Sequence, residues 1–181
     1  MDNSKLVEQV VKRQRNAKYW MNVFLILLAA IAIPLTLIVV SVLTDLHYLS
    51  LLALFVLLFC IYGAWFFISS LKVEYEYAFL SSTMRIDKII AKRRRRKMIK
   101  LDVKQITDIF RFSDDEMTKR DFTKIYHAEG KEYDENNIVI AFNLEDKGSC
   151  AAIFTPNEEF ISTMKPYCNY EIRKKLSEIY Q

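Results

Sequence analysis

Two stretches without a single Lys, Arg, Asp or Glu, Trp20 to Leu43 and Tyr48 to Leu71, are separated only by Thr44, Asp45, Leu46 and His47. A helix crosses a bilayer in roughly 20 apolar residues at about 1.5 Å of rise each, so each stretch is long enough. The four-residue link obliges them to run in opposite directions. The sequence therefore predicts a transmembrane helical hairpin. A signal peptide is the competing reading of the first run, because basic residues precede it. That run exceeds the apolar core of about 7–15 residues usual in signal peptides, no small-residue cleavage pattern follows, and a second apolar run comes at once. Pro34 lies inside the first span and is expected to kink it. Tyr19, Trp20 and Tyr48 fall where interfacial aromatics belong, with Tyr62 and Trp65 deeper.

Composition has to be read on each side of this hairpin, since a mean hydropathy of +0.06 averages two unlike parts. Residues 1–20 carry Lys5, Lys12, Arg13, Arg15 and Lys18 against Asp2 and Glu8, and the interspan link carries only Asp45. Residues 72–100 carry ten basic and three acidic side chains. Lys and Arg concentrate on the cytoplasmic flanks of spans, so both termini are expected in the cytoplasm and the protein in the cell membrane. Intramembrane charge, the usual mark of a transport path, is absent from the two runs.

Three regions follow: a basic amphipathic N-terminal segment at 1–19, the hairpin at 20–71 and a cytoplasmic domain at 72–181. In the first, Leu6, Val7, Val10 and Val11 recur at helical spacing, which predicts a short surface helix running into the first span. In the third, Val73, Tyr75, Tyr77 and Phe79 alternate with Lys72, Glu74, Glu76 and Ala78, the period of a half-buried strand. Ser81, Ser82 and Thr83 make a turn, and Met84 to Lys92 and Met98 to Val103 read as the next strands. Further strands are expected at 105–112, 122–128, 138–144 and 150–154, with solvated loops at 113–121 and 129–137. So many strands in so few residues leave no room for helical crossovers, so antiparallel pairing is expected throughout. Thr155, Pro156 and Glu158 form a capping-box pattern for a helix that Pro166 ends, and Asn169 begins a second one.

The segments VEYEYAFLSSTMRIDKIIAKRRRRKM and FTPNEEFISTMKPYC resemble bacterial membrane proteins that attach a pleckstrin-homology (PH)-like domain to N-terminal hairpins. Over residues 20–181 the chain is similar in architecture to small two-span proteins of Gram-positive bacteria. The resemblance implies an α+β protein: an N-terminal transmembrane hairpin, then a PH-like antiparallel sheet or barrel closed by a C-terminal helix. It differs from lipid-binding eukaryotic PH domains in one respect. Their basic residues lie around the first hairpin loop, here Ser81, Ser82 and Thr83, whereas this chain concentrates them in the next one.

That next hairpin holds Lys88, Lys92, Arg93, Arg94, Arg95, Arg96, Lys97 and Lys100, with no acidic residue between the first and the last. Residues 101–181 carry 11 basic and 16 acidic side chains, so the domain is electrically polarised. An anionic bilayer attracts each nearby basic residue by about 1 kcal/mol. These eight residues are the candidate lipid-binding set, with a topology signal and an acidic protein partner as the alternatives. Nucleic acid fits poorly, because no aromatic stacking platform adjoins the run and the rest of the domain is acidic.

No metalloprotease, hydrolase, phosphate-loop or dinucleotide motif occurs, and three glycines, Gly63, Gly130 and Gly148, are too few for a phosphate cradle. His47 and His127 are isolated, Asp114, Asp115 and Glu116 lack calcium-loop spacing, and Cys60, Cys150 and Cys168 lack metal-ligand spacing and read as small apolar residues. No catalytic residue, cofactor or metal is expected. The sequence points to a membrane-anchored binding or scaffolding module that docks on anionic headgroups or on a protein partner. The alternative is an accessory subunit of a larger membrane complex, with Ala29, Ala32, Thr36, Gly63 and Ala64 allowing close helix contact.

Overall fold

The structure, a computed structural model, describes residues 6–144 and 146–180. The chain divides into two compact units, Arg15–Lys72 and a second one made of the segment ending at Gln14 together with that beginning at Val73.

The first unit is a helical hairpin of α1 (Ala17–Leu43) and α2 (Tyr48–Ser70). Both are long and apolar enough to cross a membrane. The link is tied by the Thr44 N–H and hydroxyl, which both donate to the Val40 carbonyl, and by the Ser41 hydroxyl, which donates to the Leu46 carbonyl at 3.0 Å. Pro34 sits inside α1, which runs as one helix from end to end. The buried positions are small or compact, Pro34 and Ser41 on α1 and Ala53 and Ala64 on α2, which lets the backbones approach. Ala29, Ala32 and Thr36 are exposed. Large apolar side chains such as Phe24, Ile31, Leu43 and Phe59 are also exposed, a surface suited to hydrocarbon and not to water.

The helix expected over 3–19 is instead a strand, β1 (Val7–Lys12), with residues 3–5 outside those described. It pairs antiparallel with β2 (Val73–Leu80), so that the two strands flanking the helical hairpin are neighbours. β3 (Thr83–Ile90) and β4 (Arg94–Asp102) complete a four-stranded sheet in the order β1-β2-β3-β4. Val7 and Val11 oppose Phe79 and Tyr75 on its inner face, and Gln9 opposes Tyr77. Gln9 is satisfied by distant partners: its amide donates to the Thr155 carbonyl at 3.0 Å and accepts from the Asn157 N–H at 2.8 Å.

The second sheet has the order β5-β7-β8-β6, with β5 (Ile106–Arg111), β6 (Lys124–His127), β7 (Ile138–Leu144) and β8 (Gly148–Phe154). β6 runs parallel to β8, contrary to the all-antiparallel expectation. The antiparallel strand β7 serves as the return path, so no helical crossover is needed. The segment 113–121, expected as a solvated loop, contains the short helix α3 (Asp114–Thr118). Met117 of that segment, with Phe110, Phe112 and Phe122 on either side of it, packs against Val139, Ala151 and Ile153, giving this sheet a small second core.

The main core joins Tyr77, Phe79, Met84, Ile86, Ile140, Phe142 and Phe154 from the strands to Phe160 and Met164 of α4 (Glu158–Met164) and Leu176 of α5 (Tyr170–Ile179). Tyr77, Phe154 and Phe160 meet edge to face with centroids 5.5–6.3 Å apart. Cys150 and Cys168 are buried in this core; desolvation pushes the Cys168 thiol up to about 11. The expected Thr155 cap is also corrected: Asn157 caps α4 by accepting from the Phe160 N–H at 2.8 Å. Thr155 is used inside the fold, donating its hydroxyl to Asn137 at 2.7 Å and accepting the Gly130 N–H at 3.3 Å. Gly130 has no room for a side chain, since a Cβ there would lie 2.6 Å from Val11 Cγ1. The loop after β6 can thereby close on the end of β1, where the Gln14 N–H donates to the Gly130 carbonyl at 2.6 Å.

Candidate functional site

The basic run lies on the β3–β4 hairpin. Ala91 and Lys92 both have left-handed backbones, with φ of 54° and 56°, and the Arg93 N–H closes the turn on the Ile90 carbonyl at 3.1 Å. Paired left-handed residues are what a tight hairpin with native twist requires, although Asn or Gly usually supply them. Register fixes where this turn lies. Lys12 opposes Glu74, the Arg13 N–H donates to the Val73 carbonyl at 3.0 Å, and Val73, Ile90 and Arg94 follow one another across β2, β3 and β4. The turn is therefore at the same end of the sheet from which the chain leaves β1 and returns into β2.

Alternation along the strands separates the eight candidate residues. Lys88 opposes Tyr75 and Arg96, and Ile90 opposes Arg94, which puts Lys88, Arg94 and Arg96 on the inner-face side of the sheet, beyond its apolar core. Arg95 opposes Ile89 and Lys97 opposes Asp87, so these two lie on the outer face, as does Lys100 opposite Arg85. Lys92 and Arg93 belong to the turn. A register shift between Ile86 and Asp87 leaves Met98 as the extra residue of a bulge. Without it Arg95 and Lys97 would share a face with the core residues Ile99 and Leu101. Lys100 also lines a separate groove of about 490 Å³ with Gln105, Tyr126, Asn143 and Lys147, well along β4 from the turn.

The outer face also holds two carboxylates that the sequence does not single out, Glu76 and Asp87. Glu76 and Asp87 are direct partners across β2 and β3, only 6% and 1% exposed. Arg95 lies 2.7 Å from Glu76, and Arg85 lies 3.2 Å from Asp87 and 3.9 Å from Glu76. The period-2 pattern that put Glu74 and Glu76 on the polar face of β2 gave no sign of burial, because burial comes from neighbours on β3 and β4.

Other ionisable groups are paired locally. Glu116 is held below the usual carboxylate range chiefly by its hydrogen bond from Lys119, and Arg120 bridges it to Asp108. His127 Nδ1 lies 3.0 Å from Glu129 Oε1, and that hydrogen bond raises the imidazole above its ordinary 6.5. Among the described residues no three His, Cys, Asp or Glu side chains are grouped to hold a metal ion.

Two four-stranded sheets followed by a C-terminal helix fit a PH-like domain, here with a helical hairpin in the connection between its first two strands. The chain belongs to the bacterial PH-like domain family DUF6106, whose model matches residues 3–174. No curated protein and no solved structure matches it significantly. PH-like domains are in general non-catalytic modules.

Proposed function

We propose that this protein is a membrane-anchored, non-catalytic binding module whose PH-like domain docks on anionic lipid headgroups through the basic β3–β4 hairpin. The observation that carries the reading is register: the 90–94 turn shares the end of the sheet with both chain connections to the apolar hairpin. Pairing of β1 with β2 also requires both flanks of that hairpin to be on one side of the membrane, in keeping with two spans. The excess of Lys and Arg on those flanks makes that side the cytoplasm. Tethering supplies proximity, so contacts of about 1 kcal/mol each suffice to orient the domain.

The test uses the full chain in nanodiscs of phosphatidylcholine, alone or mixed with phosphatidylglycerol, with amide hydrogen exchange read over residues 88–100. Protection that appears only with the anionic lipid and fades as salt is raised is the expected result. Equal exchange in the two discs at low salt would remove lipid docking and leave the basic run as a topology signal or a protein-binding site.

A further inference from the structure

Glu76 and Asp87 form an unusual pair for the outer face of the two central strands of the first sheet. Each has lost most of its water, they are direct partners, and Asp87 Oδ1 is buried without a hydrogen-bond partner among the described residues. Cations beside two adjacent buried carboxylates offset the repulsion and the lost hydration of the pair. Arg85 and Arg95 are those cations, and the distance from Arg95 to Glu76, 2.7 Å, is the shortest of the three arginine contacts to the pair. Arg95 thus reaches from β4 past β3 to β2, a staple across three strands.

We propose that Arg95 is a positioning residue and not a lipid ligand: its pairing with Glu76 fixes β4 on the sheet, and the contact with the anionic surface is carried by Lys88, Arg94 and Arg96 on the opposite face, with Lys92 at the turn. This rests on the docking reading above and divides a run of four arginines that the sequence presents as equivalent. The bulge at Met98 makes the division possible, because it sets Arg95 and Lys97 outward while Ile99 and Leu101 stay in the core. The occupant is an anionic bilayer, for two reasons. The inner-face group carries no acidic residue, and it lies at the end of the sheet that leads into the two apolar helices.

The experiment compares full-length wild type, R94Q/R96Q, R95Q and R95Q/E76Q in the two nanodiscs. Exchange is read over 88–100 for docking and over 73–90 for sheet integrity. Removing two lipid-contacting arginines should lower the docked-to-undocked ratio by about 30-fold, at roughly fivefold each, with strands β2 and β3 unchanged. R95Q should instead raise exchange in β2 and β3, and adding E76Q should restore protection there by removing the stranded charge. The proposal is overturned if R95Q abolishes lipid protection as fully as R94Q/R96Q with the sheet unchanged, or if E76Q fails to restore the sheet. Absence of lipid dependence in the wild type would defeat the docking reading, while the R95Q/E76Q comparison would still decide whether Arg95 is a staple.

Discussion

Glu129 is the buried acid on which the loop after β6 turns. It is 7% exposed, its Oε1 meets His127 Nδ1, and its Oε2 is buried without a hydrogen-bond partner among the described residues. The hydrogen bond to Glu129 is the main cause of the raised His127 pKa; partial burial opposes it, the Glu129 and Glu132 charges support it and Arg13 opposes it. A base whose folded pKa is raised stabilises the fold fully below its unfolded value of about 6.5, and that contribution disappears as pH rises through the folded value. An NMR titration of the full chain should show His127 ionising above 6.5, and E129Q should move it back toward 6.5. A His127 titration unaffected by E129Q would show that the pair does not persist in solution. Sequence leaves His127 isolated and puts Glu129 in a solvated loop at 129–137, whereas Glu129 is buried, next to Gly130, which closes against Val11 more than a hundred residues away in the chain.

The β3–β4 turn shows how an element can be placed correctly and still be strained. Ala91 sits at φ of 54°, where a side chain costs roughly 1–2 kcal/mol relative to right-handed backbone, and glycine returns part of that gain as unfolded-chain entropy. A91G should therefore stabilise the domain by up to about 1 kcal/mol, and A91V should destabilise it, both read as shifts in the denaturant midpoint. A lowered midpoint for A91G would mean that the turn relaxes out of this conformation. β2 and β3 were legible from alternation of apolar residues, and β7 and β8 as short apolar runs buried on both faces. β4 was legible only from Met98 onward, because residues 94–97 include no apolar residue. β1 was not, since Leu6, Val7, Val10 and Val11 fit a helix as well as a strand. The face it buries carries Gln9, whose partners Thr155 and Asn157 belong to the far end of the chain. The parallel β6–β8 pairing was hidden for a similar reason, as β7 supplies a return that no local pattern marks. The basic run itself was plain, but its division into two faces depends on a bulge opposite Ile86 and Asp87.

At the scale of the molecule, the apolar hairpin is not appended to the polar domain but interrupts it after its first strand. The 72–181 region that sequence delimits as a domain lacks β1, and with it Val7, buried at 5% exposure, the partly buried Val11 and both hydrogen bonds of Gln9. Burying a valine is worth roughly 1.5–3 kcal/mol, so losing two, with the strand pairing, removes an amount comparable to the 5–15 kcal/mol that holds a typical domain together. Residues 73–181 expressed alone should therefore unfold at lower temperature and denaturant than a chain in which a short flexible loop joins Gln14 to Val73 in place of the hairpin. Thermal unfolding followed by circular dichroism, with dispersion of the amide NMR spectrum, makes the comparison directly. Equal midpoints would reduce β1 to an accessory strand. A lower midpoint for the shorter chain would make β1 an integral strand of the domain, which is then complete only when the segments on either side of the apolar hairpin pair as β1 and β2.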